Sequence, residues 1–109
     1  AKERVVALPD AVMRSAAAGE AEAVMGWLET GGDVDARWSE HQVTLLMIAA
    51  SNGSTQFVEG LLSHSCDVNL QQKRGTTALI IASANGHPAV VRMLLRAGAR
   101  LNLRSTTKS

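Results

Sequence analysis

Apolar residues along this chain fall in short groups at helical spacing, separated by small and polar residues that return at a fixed interval. Val58, Leu61 and Leu62 stand at i, i+3 and i+4, which places them on one face of a helix. The pattern predicts that helix from about Thr55 to Ser63. Ahead of it, Leu46, Ala49 and Ala50 share one side of a helix running from Thr44 to about Asn52. Thr44 is a suitable N-cap, and Gly53 closes the helix. Further along, Thr77 and Gly86 bound another first helix. Pro88 then falls in the first turn of its successor, where the missing N–H costs little. Near the start, Asp10 after Pro9 reads as the cap of a helix that turns Val12 and Ala16 inward. Its successor spans about Ala21 to Glu29.

The interval is a repeat. Gly19, Gly53 and Gly86 recur with a period of about 33 residues, and Asp35, Asn69 and Asn102 keep the same period. Thr44 and Thr77 share it, and the pairs Trp27-Leu28, Leu61-Leu62 and Leu94-Leu95 keep step. A fixed period of this size marks a stack of supersecondary units. Small residues at Ala16, Ala49, Ala50, Ala82 and Ser83 let helices pack closely in such a stack. The segments 35–43 and 69–76 between units, with Gly75 and many polar side chains, read as extended hairpin tips.

Certain stretches carry a family resemblance. They are Thr77-Ala78-Leu79-Ile80-Ile81-Ala82-Ser83, then Asn85-Gly86-His87, then residues 90–99, which read VVRMLLRAGA. Residues 44–50, TLLMIAA, with Asn52-Gly53, repeat the pattern. The chain resembles an ankyrin-repeat protein over roughly residues 8–104. The family's T-P-L-H segment is altered here, with Leu45 and Ala78 for proline and Met47 and Ile80 for histidine. One extra tip residue stands near Trp38.

The resemblance implies an all-α solenoid of stacked helix-turn-helix units joined by hairpin-like tips. The first repeat would cover about residues 5–38, the second 39–71 and the third 72–104, with 105–109 opening a further tip. On this reading the sequence is part of a longer array, and Leu79, Met93 and Leu94 of the last unit lack cover.

With 109 residues, one small domain is expected. Apolar residues make up 46%, which excludes a disordered chain. Aromatics are only 3%, so Ala, Val, Leu and Met must fill the core. One cysteine, Cys66, cannot form an intramolecular disulfide, which suits an intracellular protein of the cytoplasm or nucleus. No apolar run approaches a membrane span.

The net charge of +1 hides an uneven layout. Residues 1–67 carry four cations against ten acids, and residues 68–109 carry seven cations and no acid. A basic end could attract an acidic or phosphorylated partner. The simpler reading makes Arg92 and Arg96 the solvated side of the last helix. Nucleic acid is disfavoured, because no aromatic follows Phe57 and no base-reading motif occurs. The same layout suits a monomer, or weak head-to-tail association.

Chemistry for catalysis or cofactors is not evident. His41, His64 and His87 fall in different units, and His64-Ser65-Cys66 is the one local His and Cys pair. A zinc site needs three or four converging ligands. The resemblance makes His87 a capping and packing residue. Cys66 stands at the register of Gly32 and Ala99, a small turn site, and so fills space. No phosphate-binding loop or nucleophile motif occurs. Glu20, Glu22, Glu29, Asp33 and Asp35 cluster in the first unit with no cleft to enclose a reacting pair. No enzyme activity, cofactor or metal is expected.

The resemblance instead implies a protein-binding module that uses the concave face of tips and first helices. Its changeable positions map to Glu40, His41 and Val43 with Ser51 and Asn52 in the second unit. In the third they are Lys73, Arg74 and Thr76 with Ala84 and Asn85, and in the first Arg14, Ala17 and Ala18. Trp38, beside the extra tip residue, is the expected anchor. Trp27, at the Leu61 and Leu94 position, is expected in the core. Arg74 is the best polar candidate for a carboxylate or phosphate. The rival reading is a spacer whose surface meets only neighbouring repeats.

Overall fold

A computed structural model describes residues 6–101 of the chain. Six helices follow in order: α1 (Asp10–Ala17), α2 (Ala21–Glu29), α3 (Leu45–Asn52), α4 (Thr55–Ser63), α5 (Ala78–Ala84) and α6 (Pro88–Arg96). They form two layers. Helices α1, α3 and α5 pack side by side, α2, α4 and α6 pack behind them, and each first helix packs on its own successor. The expected tip at 105–109 lies outside the described residues.

The caps explain where the helices begin. The Thr44 hydroxyl accepts from the Met47 amide at 3.3 Å, the Thr77 hydroxyl from Ile80 at 3.2 Å, and the Ser54 hydroxyl from Phe57 at 3.3 Å. Each satisfies a donor that the first turn leaves without a helical partner. Gly53 ends α3 in the left-handed region at φ 71°. The first unit differs from expectation. Asp10 sits inside α1, Pro9 is the N-cap, and no side chain caps this helix. The Asp10 carboxylate is thereby left to accept from the Trp38 indole N–H at 2.8 Å.

Each tip doubles back on a short antiparallel contact, Trp38 with Val43 and Gln71 with Thr77. The third unit's tip turns at Gly75, φ 90°. The second unit's tip, one residue longer, holds Ser39 and Gln42 at φ 64° in the same left-handed region. The tips are stitched together. Lys73 N donates to His41 O at 2.8 Å, and the Arg37 guanidinium donates to Gln71 O at 3.0 Å.

The core lies between the layers, centred on Phe57, Leu45, Leu61, Leu94, Val24 and Val58. Ala16, Ala49, Ala50 and Ala82 are fully buried at helix contacts, as their size requires. Two expectations are corrected here. Leu79 and Leu94 are buried, and Met93 is half-buried, so the last unit turns its large side chains inward. Leu95 and Leu101 are the exposed apolar residues at that end. Trp27 is half-buried rather than enclosed, its larger ring packed against the edge of the core.

Candidate protein-binding face

The first-helix layer and the tips enclose a groove of about 440 Å³. Met13, Met47, Ile48 and Ile81 supply its floor, one or two from each first helix. Val43 and Gln72 close it on the tip side, and Ser51 and Asn52 stand where α3 ends. These positions recur because the units repeat. Met13 and Met47 hold one register position in successive units, and Ile48 and Ile81 hold another. Arg14, exposed on α1, is in register with Ile48 and Ile81.

The expected site residues divide into three groups. Val43, Ser51 and Asn52 line the groove. Glu40, His41, Lys73 and Arg74 are exposed on adjacent tips, which the Lys73–His41 backbone bond holds together. The Arg74 amide is bonded to the Gln72 side chain. Thr76 is half-buried and accepts from Gln72 N at 2.9 Å through its carbonyl. Trp38 and Asn85 form the third group, whose side chains bond within the fold. The Trp38 ring packs half-buried against the core with its N–H on Asp10.

Asn85 belongs to a set of inter-unit bonds. Its amide donates to the carbonyl and hydroxyl of Ser51 at 3.4 and 3.3 Å. One unit earlier, Asn52 reaches back to Ala16 O at 3.4 Å in the same way. His87 Nε2 lies 3.0 Å from Ser51 O, so the nitrogen that faces this carbonyl donates to it. The His87 ring covers Gly53, where a Cβ would come within 2.5 Å of it. His87 does pack, but its side chain makes no capping bond to α6.

A second ladder runs along the turns that follow the second helices. The Asp35 carboxylate accepts from Asp67 N at 3.0 Å, and the Asn69 side chain accepts from Arg100 N at 2.9 Å. Burial pushes the Asp35 carboxyl above its ordinary pKa, and the charges of Asp67 and Asp33 add to this. The Asp67 amide and Arg37 pull the other way without reversing it. Nearby Cys66 is pushed up to about 11, first by burial and then by the Asp35 charge. At neutral pH it is a protonated thiol and a poor nucleophile.

Sequence reasoning missed the groove floor. Met47 was visible only as a departure from the family's histidine. Met13 shares a register with Met47, and Ile48 shares one with Ile81, but nothing in the sequence distinguishes the half-buried Met13 and Ile81 from the buried Met47 and Ile48 between them. Among the described residues, no group of three or more His, Cys, Asp or Glu is placed to hold a metal ion. No described helix is long and apolar enough to cross a membrane.

Comparison with known proteins decides the family. A family model described as ankyrin repeats in three copies matches residues 12–105. The chain belongs to the ankyrin-repeat family. It is 39% identical over 84 residues to the mouse B-cell lymphoma 3 protein homolog, covering 77% of this chain and 19% of that protein. It is 35% identical over 99 residues to mouse ankyrin repeat domain-containing protein 63, covering 91% of this chain and 24% of that one. A bovine mitochondrial disaggregase is 47% identical over 58 residues, which cover 53% of this chain and 9% of the relative. The ankyrin chain thus spans less than a quarter of the length of each. Ankyrin repeats generally mediate protein–protein interaction and are typically non-catalytic.

Proposed function

We propose that this chain is a binding module that takes a partner protein or peptide on the concave face formed by its tips and first helices. The observation that carries the reading is the groove between α1, α3 and α5. It has an apolar floor that no described side chain fills and a rim of exposed polar side chains from two adjacent tips. A partner would place an apolar side chain against the half-buried Met13, Val43 and Ile81, above the buried Met47 and Ile48, and meet Glu40, His41, Lys73 and Arg74 at the rim. Apolar burial at the centre with a polar surround is the usual anatomy of a specific interface. Lys73 and Arg74 favour a partner that brings carboxylates or phosphates to the third unit's tip. A lone, protonated Cys66 is consistent with a reducing intracellular compartment.

The test is affinity capture from cell lysate with the native chain and a variant carrying Val43→Asp, Glu40→Ala, Lys73→Ala and Arg74→Ala. Trp38 is left in place because its indole is bonded to Asp10. With equal helicity and melting temperature, loss of a captured protein from the variant supports the concave face. Identical captures would transfer the assignment to the spacer reading. That reading draws on the way Ser51, Asn52 and Asn85 already bond between units.

A further inference from the structure

The sign of the exposed charge differs between the two sides of the stack. Apart from Asp10 and Glu40, the exposed acids among the described residues lie on second helices or in the loops beside them, with Glu22 and Glu29 on α2 and Glu59 on α4. Asp10 is taken up by the Trp38 indole. Glu40 is then set against Lys73 and Arg74 on the adjacent tip and Arg14 on α1, all exposed. Met13 and Ala17, on either side of Arg14 in α1, line the groove, and so does Gln72 next to Lys73. The concave side is therefore basic at two separate places along the groove and apolar between them.

The spacing of those two places sets the length of what can bridge them. Helices α1, α3 and α5 pack in that order, and packed helix axes lie about 8–10 Å apart. Arg14 on α1 and the tip that leads into α5 are thus separated by about 16–20 Å along the stack. An extended chain advances about 3.3 Å per residue, so about five or six residues span that distance. A side chain midway along such a segment falls over α3. There the half-buried Met13, Val43 and Ile81 surround the buried Met47 and Ile48.

We propose that the occupant of the groove is an extended acidic segment of a partner protein, in which one large apolar side chain has carboxylates about three residues away on each side. The carboxylates on one side meet Arg14, those on the other meet Lys73 and Arg74, and the apolar side chain rests against Met13, Val43 and Ile81. This rests on the concave-face reading and adds to it the chemistry and spacing of the partner. The cations are divided between two places instead of forming one arginine cluster, which suits spread carboxylates better than a single doubly charged phosphate. The groove opens on the concave side, away from the faces on which units stack, so an array of any length leaves it accessible.

Fluorescence anisotropy of the whole chain with a labelled peptide of about ten residues tests this. The peptide carries a central leucine and two glutamates on each side, and control peptides replace the glutamates by glutamine or the leucine by alanine. The acidic leucine peptide is expected to bind, less tightly at high salt, and each control about tenfold more weakly. Arg14→Gln should weaken the acidic peptide about threefold and the pair Lys73→Gln, Arg74→Gln about fivefold, through lost exposed ion pairs. The two effects should multiply, because the sites are apart, and neither should change binding of the glutamine peptide. Glu40→Gln should act in the opposite direction and tighten the acidic peptide about twofold. Equal binding of the glutamate and glutamine peptides, lost together in Val43→Asp, would overturn the acidic assignment and keep the concave face as a binding site. Acidic-peptide binding that Val43→Asp leaves intact would overturn both readings. Binding of a phosphoserine peptide but not of the glutamate peptide would overturn the carboxylate assignment. Absence of any binding up to about 1 mM would do the same, and the capture experiment would still decide the face.

Discussion

Ser65 holds φ 60° at a place where the other two units have Gly31 at φ 106° and Gly98 at φ 99°. A side chain in the left-handed region costs about 1–2 kcal/mol, partly offset by the entropy that glycine loses on folding. Ser65→Gly is therefore expected to stabilise the fold by about 1 kcal/mol in urea denaturation. Register explains a second local choice. Trp27 stands where Leu61 and Leu94 stand, and its ring lies over Gly32, where the other units have Cys66 and Ala99. A Cβ on Gly32 would come within 2.5 Å of the indole. Gly32→Ala should destabilise by about 1–3 kcal/mol, the usual range for overpacking. In a Trp27→Leu background that loss should largely vanish, and a double-mutant cycle measures the coupling. Both pairings were present in the sequence as aligned residue types. The sequence placed Cys66 at a small turn site, but not the indole that forbids a side chain at Gly32.

At the scale of elements, all six helices were legible because hydrophobic spacing and boundary residues agreed. Thr44, Thr77 and Gly53 are local signals with local effects, and they set the ends where they were read. Asp10 misled because a carboxylate after proline looks like a cap, while its actual partner, Trp38, is far along the chain in the second unit's tip. Long-range polar partners leave no trace in periodicity. The turn ladder offers a sharper case. Asp35 and Asn69 do the same work, yet one carries a charge that its surroundings oppose. The Asp35 pKa is raised above the ordinary 3.8, so the folded state holds the proton more tightly than the unfolded state. Its favourable contribution is complete below the unfolded value and is lost as pH rises through the folded one. Asp35→Asn keeps an oxygen to accept from Asp67 N, as Asn69 does for Arg100. The variant should melt higher than the native chain at neutral pH, with the gap closing in acid below the ordinary aspartate pKa. A gap that widens in acid would mean that the Asp67 bond outweighs burial.

Across the whole molecule, each unit touches only its neighbours, so stability is a sum of units and the contacts between them. Among the described residues, helices α3 and α4 have neighbours on both sides, while the outer pairs have one. Hydrogen exchange should therefore show the greatest protection in α3 and α4, with earlier opening of the outer helices. Uniform protection across all six would mean that the stack opens only as a whole. The concave groove emerges only at this scale. The sequence made the repeat plain and located the tips, but a groove is a relation between units. Whether Met13 and Ile81 face a neighbour or open space depends on how three copies of one pattern are set side by side.

Both tryptophans belong to the amino-terminal side of the stack: Trp27 rests on the turn after α2, and Trp38 binds Asp10 at the start of α1. Helices α5 and α6 contain no tryptophan. The intrinsic emission of this protein is thus a local reporter, whereas circular dichroism averages over every helix. A melt followed by both would carry spatial information. If the carboxy-terminal pair opens first, ellipticity falls while the tryptophan signal holds, and the interval between the two curves measures how tightly one end of the stack is coupled to the other.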